Sequence, residues 1–153
     1  MIKIYLASPF FNDREREVKA QVKAQIESLG GGEVIDPQGG GNPASWEQHN
    51  SEWGAKIFAK DIERIKSADC VVAIDWGLYG DCGTAWEIGY AYALGKPILV
   101  VVPDETLNTP HSLMVANGSH NFISVSRFLS FTDDDDWTNG IHRPYFLHGV
   151  EQK

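Results

Sequence analysis

Two carboxylates stand six residues apart in the run Gly80-Asp81-Cys82-Gly83-Thr84-Ala85-Trp86-Glu87. Two acids with separate roles suit transfer chemistry at a sugar: one attacks the carbon, the other handles the proton on the leaving group. Gly80 and Gly83 allow a tight turn and close approach to a ligand. Thr84 is a candidate cap for a following helix, which would put Glu87 in the first turn. There the helix dipole alone favours an acid, so a structural role for Glu87 stands beside the catalytic one. Asp81 falls on the loop and is free to face the same cleft. Asp61, between Ala59 and Ile62, either turns inward beside its apolar neighbours or lies on a solvated face. Tyr5 sits inside an apolar run, and its hydroxyl, if buried, needs a partner such as a carboxylate at the strand end. Phe10, Phe11 and Trp86 could stack on a flat ring, although each would serve equally in a core or an interface. Gln38, in a Gly-rich stretch, is a candidate polar contact for such a ring. The five histidines show no metal spacing such as HExxH, and neither a Walker nor a GxGxxG pattern is present. We therefore expect no metal and no cofactor.

The elements that must position these residues follow from periodicity. Ile2 to Ala7 alternates as a strand. From Asp13 to Leu29 the apolar positions Val18, Ala20, Val22, Ile26 and Leu29 recur at helical spacing, ended by the glycines from Gly30. Glu33 to Ile35 reads as a short strand and Asp36 to Ala44 as loop. Trp46 to Lys66 reads as a helix with Trp53, Ile57, Ile62 and Ile65 on one face. Cys70 to Trp76 is apolar enough to be a strand buried on both faces. After the Gly77–Cys82 loop come a helix from Thr84 to Leu94, with Ile88, Ala91 and Leu94 facing inward, and a strand from Pro97 to Val102. Ser112 to Ala116 fits a short helix and Phe122 to Val125 a last strand, while Asp133 to Asp136 reads as a solvated turn. Strand and helix alternate, so the expected fold is α/β: a doubly wound, mainly parallel five-stranded sheet with helices on both faces, flavodoxin- or Rossmann-like. In such sheets ligands bind outside the carboxyl ends of the strands. Ser8–Phe11, Asp36–Gly41 and Asp75–Glu87 converge there.

The bulk numbers narrow the partners. A chain of 153 residues suits one domain, 1–153, with one core. A formal net charge of -8 argues against a nucleic-acid polymer, whose phosphates need a basic stripe, but not against a neutral nucleoside. No apolar run reaches the roughly 18 residues of a membrane span. The N-terminus reads as a strand rather than a signal peptide. Cys70 and Cys82 read as reduced thiols, Cys70 in the core, and the expected location is cytoplasmic.

Taken together, the motifs resemble the nucleoside 2-deoxyribosyltransferase family along nearly the whole chain. KIYLASPFF is similar to the family's first strand and loop, and AKDIERIKSADCVVAIDW to its helix-to-strand passage. DCGTAWEIGYAYALGKP resembles the family signature most closely. By that resemblance Glu87 is the nucleophile, Asp81 the residue that protonates the base, and Tyr5 the group that positions the nucleophile. Asp61 lines the sugar pocket. Phe11, Gln38 and Gly83 are expected to bind substrate. PHSLMVANG, with Ser112 and Met114, resembles the element that one subunit lends to its neighbour's site. The implied partners are 2′-deoxynucleosides, free purine and pyrimidine bases, and further copies of the chain in a dimer-based assembly, commonly a hexamer. Two departures stand out. Ser112 replaces an asparagine that reaches the sugar hydroxyl in bacterial members; in related deoxynucleotide hydrolases a serine in this region helps bind phosphate. The C-terminal GVEQK differs from tails whose carboxylate touches the base. Transfer is thus the first expectation, hydrolysis of a deoxynucleoside 5′-monophosphate the second, and a non-catalytic nucleoside-binding domain the third.

Overall fold

Nearly unbroken apolar runs, buried on both faces, form the inner strands, and each strand is followed by a helix. In the computed structural model, residues 1–30, 32–39, 50–78 and 80–132 are described. The strands are β1 (Lys3–Ala7), β2 (Glu33–Ile35), β3 (Cys70–Ile74), β4 (Ile98–Val102) and β5 (Asn121–Ser124). All pair in parallel in the order β2-β1-β3-β4-β5. The helices are α1 (Asp13–Ser28), α2 (Asn50–Ser67), α3 (Cys82–Ala93), α4 (Leu113–Gly118) and α5 (Val125–Leu129). The expected parallel α/β sheet is therefore present. Its strand order reverses between β1 and β3, which opens a crevice at their carboxyl ends.

The two faces of the sheet bury different sets. Ile4, Leu6, Val72, Ile74, Leu99 and Val101 pack against Val18, Val22 and Ile26 of α1 and Phe128 of α5. Tyr5, Ala7, Val71, Ala73, Ile98 and Val100 pack against Ile65 of α2, Ile88 and Ala91 of α3 and Val115 of α4. Each fully buried aliphatic side chain contributes about 1.5–3 kcal/mol relative to exposure. The alternation also fixes the site, because it sends Tyr5 to the face that α3 covers.

Several local readings change. Helix α1 starts from a capping box in which Asn12 accepts the Glu15 N–H and Glu15 accepts the Asn12 N–H. Its buried stripe includes Lys19 rather than Ala20, which is exposed. On α2 only the C-terminal part is covered: Ile65 is buried, whereas Trp53 and Ile57 remain exposed beside Phe58. Leu94 is exposed because it caps the end of α3 rather than facing the sheet. The β3 strand stops at Ile74, two residues before the expected end. β5 runs one residue earlier than expected at each end, because Val125 already belongs to α5, a helix the sequence reading left out. Trp46, Asp133 to Asp136 and the GVEQK tail lie outside the described residues.

Candidate active site

Glu87 is brought to the sheet by α3. That helix starts at Cys82 with Asp81 as its cap. Thr84 is not the cap; it is buried in the first turn, where its N–H (2.7 Å) and hydroxyl (2.9 Å) both donate to Asp81 Oδ2. Starting the helix two residues earlier moves Glu87 into the second turn and leaves no acid in the first. The dipole explanation for Glu87 is correspondingly weak, since that effect fades beyond the first turn. Neither Gly80 nor Gly83 has a positive φ; Gly77 does, at 86°. A Cβ on Gly77 would also lie 2.9 Å from Thr109 Oγ1. Gly80 is needed for close approach instead, because a Cβ there would come within 2.9 Å of the Gly77 carbonyl oxygen. A Cβ on Gly83 would stand 3.0 Å from Asp81 Oδ2 and crowd the cap.

Tyr5 and Glu87 meet across the β1–α3 seam. The Tyr5 hydroxyl donates to Glu87 Oε1 at 2.6 Å. Burial, reinforced by the Glu87 charge, raises the phenol well above its ordinary range, so it keeps its proton and donates. Burial is also the main effect on Glu87, whose carboxyl rises from 4.5 to about 7; the Tyr5 hydrogen bond opposes this, Asp61 and Asp81 add to it, and Lys19 opposes it. The result is a partly desolvated carboxylate with one oxygen held by Tyr5 and Oε2 without a hydrogen-bond partner among the described residues.

The neighbouring acids are held by different partners. Asp61 Oδ1 accepts from Arg64 Nη1 at 2.9 Å, and the same Nη1 donates to the Pro37 carbonyl at 2.9 Å. Asp61 thus turns inward rather than to solvent, with 21% side-chain exposure, and is close enough to perturb both Tyr5 and Glu87. Asp81 Oδ2 is occupied by Thr84, while Oδ1 has no partner among the described residues. Gln38 is half-buried, with its side-chain oxygen 2.7 Å from Lys19 Nζ.

The remaining candidates surround this centre. Phe11 is 68% exposed and stacks on Phe10 with ring centroids 4.8 Å apart. Trp86 stacks on Tyr90 and meets Phe58 edge-on, an aromatic face between α2 and α3. Ser112 precedes α4 without capping it, and Met114 is 83% exposed. Among the described residues, no hydrogen bond or ring contact joins Phe11, Ser112 or Met114 to the Tyr5–Glu87 pair. Four residues escaped the sequence reading: Lys19, Arg64, Asp75 and His111. His111 Nδ1 is 2.7 Å from Asp75 Oδ2 and Nε2 is 3.0 Å from the Thr106 carbonyl. The one available signal was Arg64, three residues after Asp61 and so on the same helix face. Among the described residues no cluster of His, Cys, Asp or Glu could hold a metal, and no helix is long and apolar enough to cross a membrane.

Comparison with known proteins fits this geometry. The family model for nucleoside 2-deoxyribosyltransferase matches residues 4–123. A nucleoside deoxyribosyltransferase of Lactobacillus leichmannii is 27% identical over 140 residues, which cover 84% of this chain and 87% of the relative. The solved 2-deoxyribosyltransferase of Bacillus psychrosaccharolyticus superposes with a TM-score of 0.74 at 31% identity, covering 94% of this chain and 99% of that one. A putative 2′-deoxynucleoside 5′-phosphate N-hydrolase of Thermofilum pendens is 25% identical, over 88% of this chain and 89% of its own length. The matched stretch takes in β1 with Tyr5, α2 with Asp61 and the whole Asp81–Glu87 cap and helix, and the chain belongs to the nucleoside 2-deoxyribosyltransferase family.

Proposed function

We propose that this protein exchanges the base of 2′-deoxynucleosides by a retaining double displacement through a deoxyribosyl-Glu87 intermediate. The observation that carries the reading is the 2.6 Å hydrogen bond from Tyr5 to Glu87 in a crevice at the sheet's carboxyl end. A half-buried acid with one oxygen fixed and one free is suited to attack an anomeric carbon. In the first step Oε2 of Glu87 bonds to C1′ as the bond to the base breaks, and the base leaves with a proton from Asp81. Asp81 can serve because its two oxygens divide the work: Oδ2 keeps the helix cap and Oδ1 faces no described partner. In the second step an incoming base attacks C1′ from the face that the first base left. Glu87 departs as a carboxylate and Asp81 recovers its proton. Two inversions give net retention. Exclusion of a 2′-hydroxyl by Tyr5 and Asp61 belongs to the same proposal.

The test is incubation with deoxyinosine, alone and with adenine or cytosine, followed by separation of products. A new deoxynucleoside that forms only with the acceptor is the expected result. Free base without exchange, or turnover only of a 5′-phosphorylated donor, would replace this reading with the hydrolase, which the Thermofilum pendens relative keeps as the second reading. The hydrolase needs a phosphate cradle, and the basic residues near the first loop are engaged: Arg14 pairs with Glu105 and Glu17, and Arg16 with Asp13. Tight nucleoside binding with no turnover would point to the non-catalytic domain. A homo-oligomer with sites completed by a neighbour belongs to the same proposal. Its support is the exposed Leu113 and Met114 on α4 and the exposed Phe58 and Trp86 on the α2–α3 face.

A further inference from the structure

Lys19 places an ammonium where an apolar side chain would serve the fold as well. It lies in the buried stripe of α1, with its side chain 8% exposed. A buried lysine is costly unless its N–H groups are used. Lys19 Nζ donates to Asp36 Oδ1 at 2.7 Å and to Gln38 Oε1 at 2.7 Å, and lies 5.8 Å from the centroid of the Phe10 ring. Burial by itself would raise the Asp36 carboxyl. The Lys19 and Gln38 N–H donors outweigh it and hold the group below its ordinary value, so Asp36 is the counter-charge. Charge balance needs only Asp36. The contact with Gln38 is additional, and it has a chemical consequence.

An ammonium can only donate, so the Gln38 amide must present its oxygen to Lys19. The amide nitrogen then points the other way, with two N–H donors that no described residue accepts. The backbone N–H of Gln38 donates to Asp36 Oδ1 at 3.0 Å, so the residue is fixed at both its main chain and its side chain. Gln38 follows β2, the strand beside β1 and Tyr5, and the Lys19 charge reaches Glu87. This cluster therefore borders the crevice.

We infer that Lys19 is a positioning residue that sets base selectivity: by holding Oε1 it makes Gln38 a pure donor, so the site favours bases with adjacent acceptors, such as the O6 and N7 edge of a 6-oxopurine, over 6-aminopurines. This rests on the base-exchange reading above. A free glutamine matches adenine with both ends of its amide, accepting from the N6 amino group and donating to N7. With the oxygen committed to Lys19, the adenine amino group would face the amide nitrogen, donor against donor. The oxygen at the same position of hypoxanthine accepts instead.

The experiment compares hypoxanthine and adenine as acceptors from thymidine, by kcat/KM, and as ligands of the free protein, by calorimetry. Wild type, Lys19→Met and Gln38→Glu are measured together. Wild type should favour hypoxanthine by about tenfold or more, the scale of one well-made bidentate contact. Lys19→Met frees Oε1 and should bring the ratio close to one. Gln38→Glu keeps the pair with Lys19 but offers no N–H, and should lose the preference while its melting temperature holds. Gln38→Glu decides alone if Lys19→Met, which leaves Asp36 only the longer 3.5 Å pair with Lys23, does not fold. A wild type that favours adenine or neither base overturns the inference, as does a preference that survives both substitutions. Binding selectivity without any transfer would support the amide orientation and contradict base exchange; transfer without selectivity would do the reverse.

Discussion

At Glu87, burial raises the carboxyl to about 7 while the Tyr5 hydroxyl pulls it back and Asp61 and Asp81 push it further up. The proposed nucleophile must be ionised, so kcat/KM should rise with pH through about 7, the limb belonging to the free enzyme. Tyr5→Phe removes the donor that favours the carboxylate. The same limb should move to higher pH by up to about one unit, with kcat lowered by roughly ten- to a hundredfold. An unmoved limb would separate Tyr5 from Glu87. Stability should respond in the opposite sense to activity. Folded Glu87 keeps its proton up to about 7, against an ordinary 4.5 when unfolded. Its contribution is therefore fully present below 4.5 and is lost as pH rises through about 7. Glu87→Gln should abolish transfer yet raise the melting temperature at about pH 8, by up to about 3 kcal/mol in stability, with the gain fading towards about pH 4.5. Thermal melts across that range check it.

Among the elements, α3 and the β3–α4 connection carry the most information. Asp81 is both the cap of α3 and the proposed acid, and substitution can part these roles. Asparagine caps a helix about as well as aspartate, whereas alanine costs about 1 kcal/mol. Asp81→Asn should therefore melt like wild type while base departure slows, and Asp81→Ala should lose both. Equal melting of the two variants would contradict the cap. The second device is the His111–Asp75 contact, which ties the segment entering α4 to the end of β3. One ring nitrogen faces the Asp75 carboxylate and the other the Thr106 carbonyl, so the ring bridges two elements. His111→Leu leaves a buried carboxylate and should cost about 3 kcal/mol; adding Asp75→Asn should recover part of it, as denaturant melts of the two variants would show. Neither this pair nor Lys19–Asp36 was readable beforehand. Their partners are 36 and 17 residues apart, and nothing in the local pattern marks which charges the sheet will bring together. The strands were readable because burial on both faces forces unbroken apolar runs. That a buried Tyr5 hydroxyl needs a partner such as a carboxylate was readable from the residues, whereas Glu87 as that partner followed only from the family resemblance. The start of α3 was misplaced because Asp81 and Thr84 are both good caps, and only the loop geometry around Gly77 and Gly80 chooses between them.

At the scale of the whole molecule, the parallel order β2-β1-β3-β4-β5 places β1 beside the reversal point, and β1 carries Tyr5, which holds Glu87. The fold class follows from alternation of strand and helix alone. The surface does not, because exposed aromatic residues such as Phe58 and Trp86 read like core in sequence. If that face joins subunits, Phe58→Glu should reduce the mass measured by light scattering, and a wild type that is monomeric at micromolar concentration would contradict a shared site. The central claim is the covalent sugar on Glu87. The most direct measurement is mass spectrometry of the protein quenched after mixing with deoxyinosine without acceptor. The account predicts a deoxyribosyl adduct on the peptide that contains Glu87, discharged as deoxyadenosine when adenine is added. Turnover with no adduct, or an adduct on another residue, would contradict it.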